Sequence, residues 1–272
     1  MPRPASRSPI RADKSTRTDF KTLLSKVPEV TIYFWVIKIL ATTVGETAAD
    51  SLSVTLHLGL TTTTFVMSAL LAIGLAYQFR ATRYVPPIYW LVVVLISVVG
   101  TLITDNLTDR FGVSLKLTTL LFGLALVMTF AVWQANEKTL SIHSILTPKR
   151  EAFYWLAILF TFALGTAAGD LVAETLNLGY WKSALMFAAG IALIAAAWRY
   201  AHMNAIQAFW LAYILTRPLG ASLGDFLSQS RHDGGLGLGP TTTSALFLAT
   251  ILAVVVYLVK SRKDQVEIAV AG

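Results

Sequence analysis

The chain has 272 residues, of which 55% are hydrophobic and only 14% charged; a soluble globular domain carries about 25% charged residues. It has no cysteine, which excludes disulfides and thiolate metal sites. The net charge of +7 lies mostly in an N-terminal tail and in alternate loops, a pattern of membrane topology and not of nucleic-acid binding.

Residues 1–27 hold Arg3, Arg7, Arg11, Lys14, Arg17, Lys21 and Lys26 with several serines, and read as a disordered basic tail. The apolar run that follows is a full span, so the tail is expected to be retained and not cleaved as a signal peptide. Eight apolar segments of roughly 20 residues, the length that crosses a bilayer, follow at 28–52, 60–79, 86–107, 115–134, 152–173, 181–199, 204–227 and 240–260. Pro28, Pro86, Pro87 and Pro240 open spans and Pro148 precedes one, where a missing N–H costs nothing. Pro218 lies inside the seventh and is expected to kink it. The glycine-rich loop 230–239 is expected to be the most flexible external segment.

The odd-numbered segments share one pattern: Trp, a Gly ten residues later, an Asp five beyond that. The copies are Trp35–Gly45–Asp50, Trp90–Gly100–Asp105, Trp155–Gly165–Asp170 and Trp210–Gly220–Asp225, offset by 55, 65 and 55 residues. A fixed pattern recurring four times marks internal duplication. The fold expected is all-α: a polytopic membrane protein of eight transmembrane helices in four pseudo-equivalent helical hairpins. Residues 28–134 and 152–260 form two parallel halves, joined by a cytoplasmic linker 135–151 and followed by a tail 261–272.

Orientation follows from loop charge. Sixteen Lys and Arg fall on the side of the termini and four on the other, which puts both termini in the cytoplasm.

These features resemble a bacterial family of uncharacterised membrane-anchored proteins, built from four tandem two-span repeats, each with a characteristic tryptophan. The carriers are the four Trp residues, the stretch from Lys38 to Asp50 and the stretch from Thr216 to Asp225. The resemblance implies a bacterial inner-membrane protein of eight spans and no particular activity.

Function has to come from the charges retained within the spans, which are costly there and usually face a bundle interior or a wet cavity. They are Lys38, Glu46, Asp50, Asp105, Asp170, Arg217 and Asp225. Glu46 and Asp50 are four apart and share a helix face, which makes them the candidate metal ligands. Two cations against five carboxylates suit a site for a small cation or divalent metal, since oxygen ligands favour hard cations. The leading reading is a transporter of such a solute. In the alternative, a non-transporting scaffold or sensor, the same Asp residues cap turns or pair with Lys38 and Arg217. Small residues beside the carboxylates suit close helix packing. The Trp residues, about 22 Å below the Asp residues on a helix, suit interfacial anchoring or packing. Thr61–Thr64, Thr118–Thr119 and Thr241–Thr243 suit helix capping. The four His fall in loops or at span ends. No Walker A or HExxH motif appears, so neither an enzyme nor a cofactor is expected. The expected partners are the lipid bilayer and the cation, with no nucleic acid.

The topology is directly testable because the chain has no native cysteine. Ser8→Cys should react with an impermeant thiol reagent only after cells are permeabilised. Labelling of intact cells would overturn the orientation.

Overall fold

In the computed structural model, residues 25–264 are described; most of the basic tail and the last eight residues lie outside. The first helix, α1 (Ile32–Asp50), starts at Thr31, whose Oγ1 accepts from the Phe34 N–H. It is followed by α2 (Leu60–Arg80), α3 (Pro86–Asp105), α4 (Leu115–Glu137), α5 (Pro148–Asp170), α6 (Tyr180–Tyr200), α7 (Ala205–Ser228) and α8 (Pro240–Ser261). Pro86, Pro148 and Pro240 occupy first helical positions. The described residues are all-helical, with eight long helices and no strand. Seven are long and apolar enough to cross a membrane; the exception is α7, which carries Arg217, Pro218 and Asp225. That helix runs on through Pro218.

The four odd-numbered helices form an inner ring. Helix α1 packs on α3 and α7, and α5 packs on the same two, so the ring closes. The even-numbered helices lie outside it. Each packs on the inner helix of the next repeat: α2 on α3, α4 on α5, α6 on α7, and α8 back on α1. The two α-helices of one repeat therefore do not form a packed hairpin. In the first three repeats they meet chiefly through the connecting turn, as α2 does with residues 51–55, whereas α7 and α8 of the fourth touch directly. The physical reason is burial. An inner helix needs cover over its outward face, and the chain returns along its neighbour to provide it. The outer helices themselves keep large apolar residues exposed, including Phe65, Leu121, Leu185 and Leu252.

Glycine sets the ring's diameter. A Cβ on Gly45 would lie 1.9 Å from Ser97 Oγ, on Gly100 2.6 Å from Phe162 Cβ, on Gly165 2.3 Å from Arg217 Cγ, and on Gly220 2.0 Å from Thr42 Oγ1. In every case the glycine ten residues after one Trp meets the residue seven after the next repeat's Trp, and the last contact joins repeat four to repeat one. Repeating this contact in one register makes the inner helices parallel. The reading of small residues as packing elements holds.

The residue before each Trp is also aromatic: Phe34, Tyr89, Tyr154 and Phe209. Together they form an aromatic layer at the Trp end of the ring, with Tyr89 and Tyr154 joined through their hydroxyls and Trp210 edge-on to Trp133. Trp90, Trp155 and Trp210 are buried in it, and only Trp35 is half-exposed. Packing, not interfacial anchoring, is the role these indoles have.

The threonines of the outer helices do not cap. Thr63, Thr118 and Thr243, with Ser183, donate to the carbonyl four residues back and are buried. The loop expected to be flexible is tied down, with Leu236, Leu238 and Gly239 N–H groups donating to Phe226, Leu227 and Ser228 carbonyls.

Gly220→Ala should cost about 1–3 kcal/mol of stability, the usual penalty for overpacking a tight contact, read as a lowered unfolding midpoint in detergent. Gly123→Ala is the control, because its added methyl meets nothing nearer than 3.9 Å. Equal behaviour of the two variants would refute the close-approach account.

Candidate functional site

The inner ring places its charged residues on and around the ring axis. Arg217 of α7 is wholly buried and reaches the other three inner helices. Its Nη1 donates to the Thr42 carbonyl at 3.0 Å. Its Nη2 faces Glu46 Oε2 at 2.9 Å, Thr166 Oγ1 at 2.6 Å and Thr101 Oγ1. Glu46, Thr101 and Thr166 are not scattered positions. Each lies eleven residues after its own Trp, where the fourth repeat has Ala221. One guanidinium thus fills a ring of oxygens contributed by equivalent positions of three repeats. The small fourth residue matches the repeat that supplies the arginine.

Lys38 departs from expectation. Pairing with the acidic residues, as the scaffold alternative expects, does not occur: it meets no carboxylate among the described residues. Its side chain is wholly buried, and Nζ has no hydrogen-bond partner among the described residues. It sits 4.2 Å from the ring centroids of both Phe162 and Tyr213, a cation–π arrangement. The physical reason is position. Lys38 is three residues after Trp35 and so lies near the aromatic layer, while the carboxylates begin two turns further on.

At the opposite end the carboxylates converge. Glu46, Asp170 and Asp225 each offer an oxygen within 4.8 Å of the others'. They come from repeats one, three and four. Asp50 and Asp105 stand outside this triad, both half-buried. The pair expected as metal ligands, Glu46 and Asp50, is therefore divided. Glu46 faces its counterparts across the axis, and Asp50 takes a long hydrogen bond from Gln229 Nε2 at 3.5 Å. Among the described residues, that contact and the Arg217 pair are the only side-chain donors reaching the five carboxylates.

Local backbone geometry marks the same end. In the first three repeats the helix passes, directly after its Asp, into a wide π-helical turn: Ser51–Thr55, Asn106–Arg110 and Leu171–Thr175. Such turns cluster at functional sites. No glycine or proline lies within them, so nothing local announces them. The ring of threonines, by contrast, was readable by aligning the repeats residue by residue.

A second buried ion pair lies at the Trp end. Lys26 Nζ meets Glu151 Oε2 at 2.7 Å, and Gln78 Nε2 donates to Glu151 Oε1 at 3.1 Å. Nearby, His143 pairs with Glu29 at 3.6 Å, which raises the imidazole above its ordinary range.

The axial pair makes a stability prediction. Removing one partner of a buried pair leaves an uncompensated charge and costs about 3–5 kcal/mol. Arg217→Leu should therefore lower folded yield and the unfolding midpoint sharply. Glu46→Leu combined with Arg217→Leu should recover much of that loss. A double variant worse than both singles would show that the two residues do not act as a pair.

No curated protein and no solved structure matches the chain. A repeat family does, over residues 33–84, 88–139, 153–204 and 208–264, one match for each repeat defined above. The chain belongs to the family described as Repeat of Unknown Function (DUF347).

Proposed function

We propose that this protein is an eight-span transporter of the bacterial inner membrane, with parallel halves and both termini cytoplasmic, and that it moves a small cation, a divalent metal in first place. One observation carries the reading: carboxylates from three different repeats converge at one end of the ring axis instead of being neutralised within their own repeats. A scaffold would pair each acid locally. Here the one arginine meets Glu46 alone of the five carboxylates, and Lys38 is held elsewhere by aromatic rings. An oxygen-rich, net negative site of this kind attracts hard cations. With no nucleotide-binding motif in the chain, the energy source is an ion gradient or the solute's own.

The spans support the setting. Outer helices with exposed apolar faces suit lipid, and helix α7, the least apolar, is covered by α6 and the ring. The charge split between alternate loops supports the orientation.

The scaffold reading rests on a specific observation of its own, the contact of Arg217 with all three other repeats. The two are separated by near-isosteric substitutions. Asp50→Asn, Asp170→Asn and Asp225→Asn remove charge and keep shape. Elemental analysis of cells overproducing the wild type should show an altered content of one divalent cation. Each Asn variant should lose that change, by about tenfold or more in transport rate (~1.4 kcal/mol), at unchanged protein level and unfolding midpoint. Wild-type cells of unaltered cation content, or Asn variants that behave as wild type, would hand the lead to the scaffold.

A further inference from the structure

The fourfold pattern of the outer helices is broken at one place. Counted from their first residues, the four outer helices agree in register: the fourth residues are Thr63, Thr118, Ser183 and Thr243, all buried. The nineteenth residues are Gln78, Trp133, Trp198 and Leu258. Gln78, Trp133 and Leu258 are fully buried and plug the seam between two inner helices at the Trp end. Trp198 is 53% exposed. One turn earlier the residues are Leu75, Phe130, Ala195 and Val255. Where Phe130 lies edge-on to Trp210, the third repeat has only a methyl group.

The result is a groove over the seam between α7 and α1, with a volume of about 520 Å³. That is within the ~300–1,000 Å³ of small-molecule sites. Trp35, Ile191, Ile194, Trp198 and Phe209 line it. It also explains why Trp35 alone of the four repeat tryptophans is half-exposed. The groove is apolar along its length and polar at its mouth. His143 lines that end, paired with Glu29, and Arg199, one residue past Trp198, is exposed beside the groove with its guanidinium by Tyr200 and is not part of the lining.

We propose that the groove holds one acyl chain of an anionic phospholipid, with the headgroup phosphate against Arg199 and His143. An apolar trough with a histidine at its mouth and an exposed arginine within a residue of its lining fits an anionic amphiphile better than a neutral one. The trough opens on the same outward surface as the exposed apolar faces of the outer helices, so a bilayer lipid reaches it without unfolding anything. The bound chain restores the cover that Gln78, Trp133 and Leu258 give the other three seams. The inference rests on the membrane setting proposed above, though not on the identity of any transported cation.

The test uses the full-length protein in vesicles containing a diazirine-bearing phosphatidylglycerol, with adducts mapped by peptide. The segment 191–198 should be labelled several-fold more than its counterpart 251–258 in the closed seam. Ala195→Phe, which restores the aromatic residue of the second repeat, should cut that excess about tenfold (~1.4 kcal/mol). Arg199→Gln should abolish the preference over an otherwise identical phosphatidylcholine probe. Equal labelling of the two segments, or an excess that Ala195→Phe leaves intact, would overturn the proposal. So would cross-links from Trp198 to residues 1–24 or to a second copy of the chain, which would name a different occupant. If Ala195→Phe does not fold, the comparison of the two segments in the wild type decides alone. A failure of the membrane setting looks different: the outward faces of all four outer helices would then escape labelling.

Discussion

A guanidinium placed on the axis of a helical ring must be met by oxygen from every side, because an uncompensated buried charge is among the costliest features a fold can carry. Arg217 meets most of that demand with one backbone carbonyl, one carboxylate and two hydroxyls drawn from the other three repeats, its Nε alone having no partner among the described residues. Much else is arranged to make this possible. The glycines ten residues after each Trp bring the inner helices close enough for one side chain to span them. The aromatic pairs fix the helices' rotation at one end, so the eleventh residue of each repeat points inward. Four copies with an arginine at this place would repel one another. The duplicated architecture therefore required the copies to diverge, and they did so at the axis: Thr42, Ser97, Phe162 and Arg217 occupy one equivalent row, and Glu46, Thr101, Thr166 and Ala221 the next.

This divergence separates two kinds of chemistry along one axis. Near the aromatic layer the lysine is shielded by ring faces and meets no counter-ion among the described residues. Two turns on, the arginine is neutralised by Glu46. At the far end Asp105, Asp170 and Asp225 have no side-chain donor among the described residues, and Asp50 has only Gln229. Glu46 belongs to both of the last two sets, pairing with Arg217 while lying within 4.8 Å of Asp170 and Asp225 oxygens. Anything that binds at the triad also acts on the pair that joins the repeats.

Much of this was legible in the sequence. The segment lengths, the Trp–Gly–Asp spacing and the prolines at Pro86 and Pro240 locate the helices within a few residues, because hydropathy and helix-start chemistry are local properties. The partner of each outer helix was not legible, since nothing within one repeat says whether it folds back on itself or onto its neighbour. Lys38 was misread for a related reason: charge counting pairs it with the nearest carboxylate, while the fold surrounds it with Phe162 and Tyr213, more than a hundred residues away. The role of Thr101 and Thr166 was present in the alignment of the repeats but hidden by their ordinary composition. A threonine in an apolar helix usually donates to its own backbone, as these also do.

The closure of the outer layer has a consequence for assembly. Helix α1 takes its cover from α8, and its partner arginine arrives with α7. In a chain made from its N-terminus, the first inner helix is thus the last to be completed. Repeats two to four can each be clad by the helix made just before them, but α1, carrying Lys38 and Glu46, must wait for the final segment. Contacts of such long sequence separation are slow to form. The nascent protein consequently passes through a stage in which the helix carrying Lys38, Glu46 and Asp50 stands open at one edge. A truncation before Pro240 would leave not a shortened ring but one arrested at that stage.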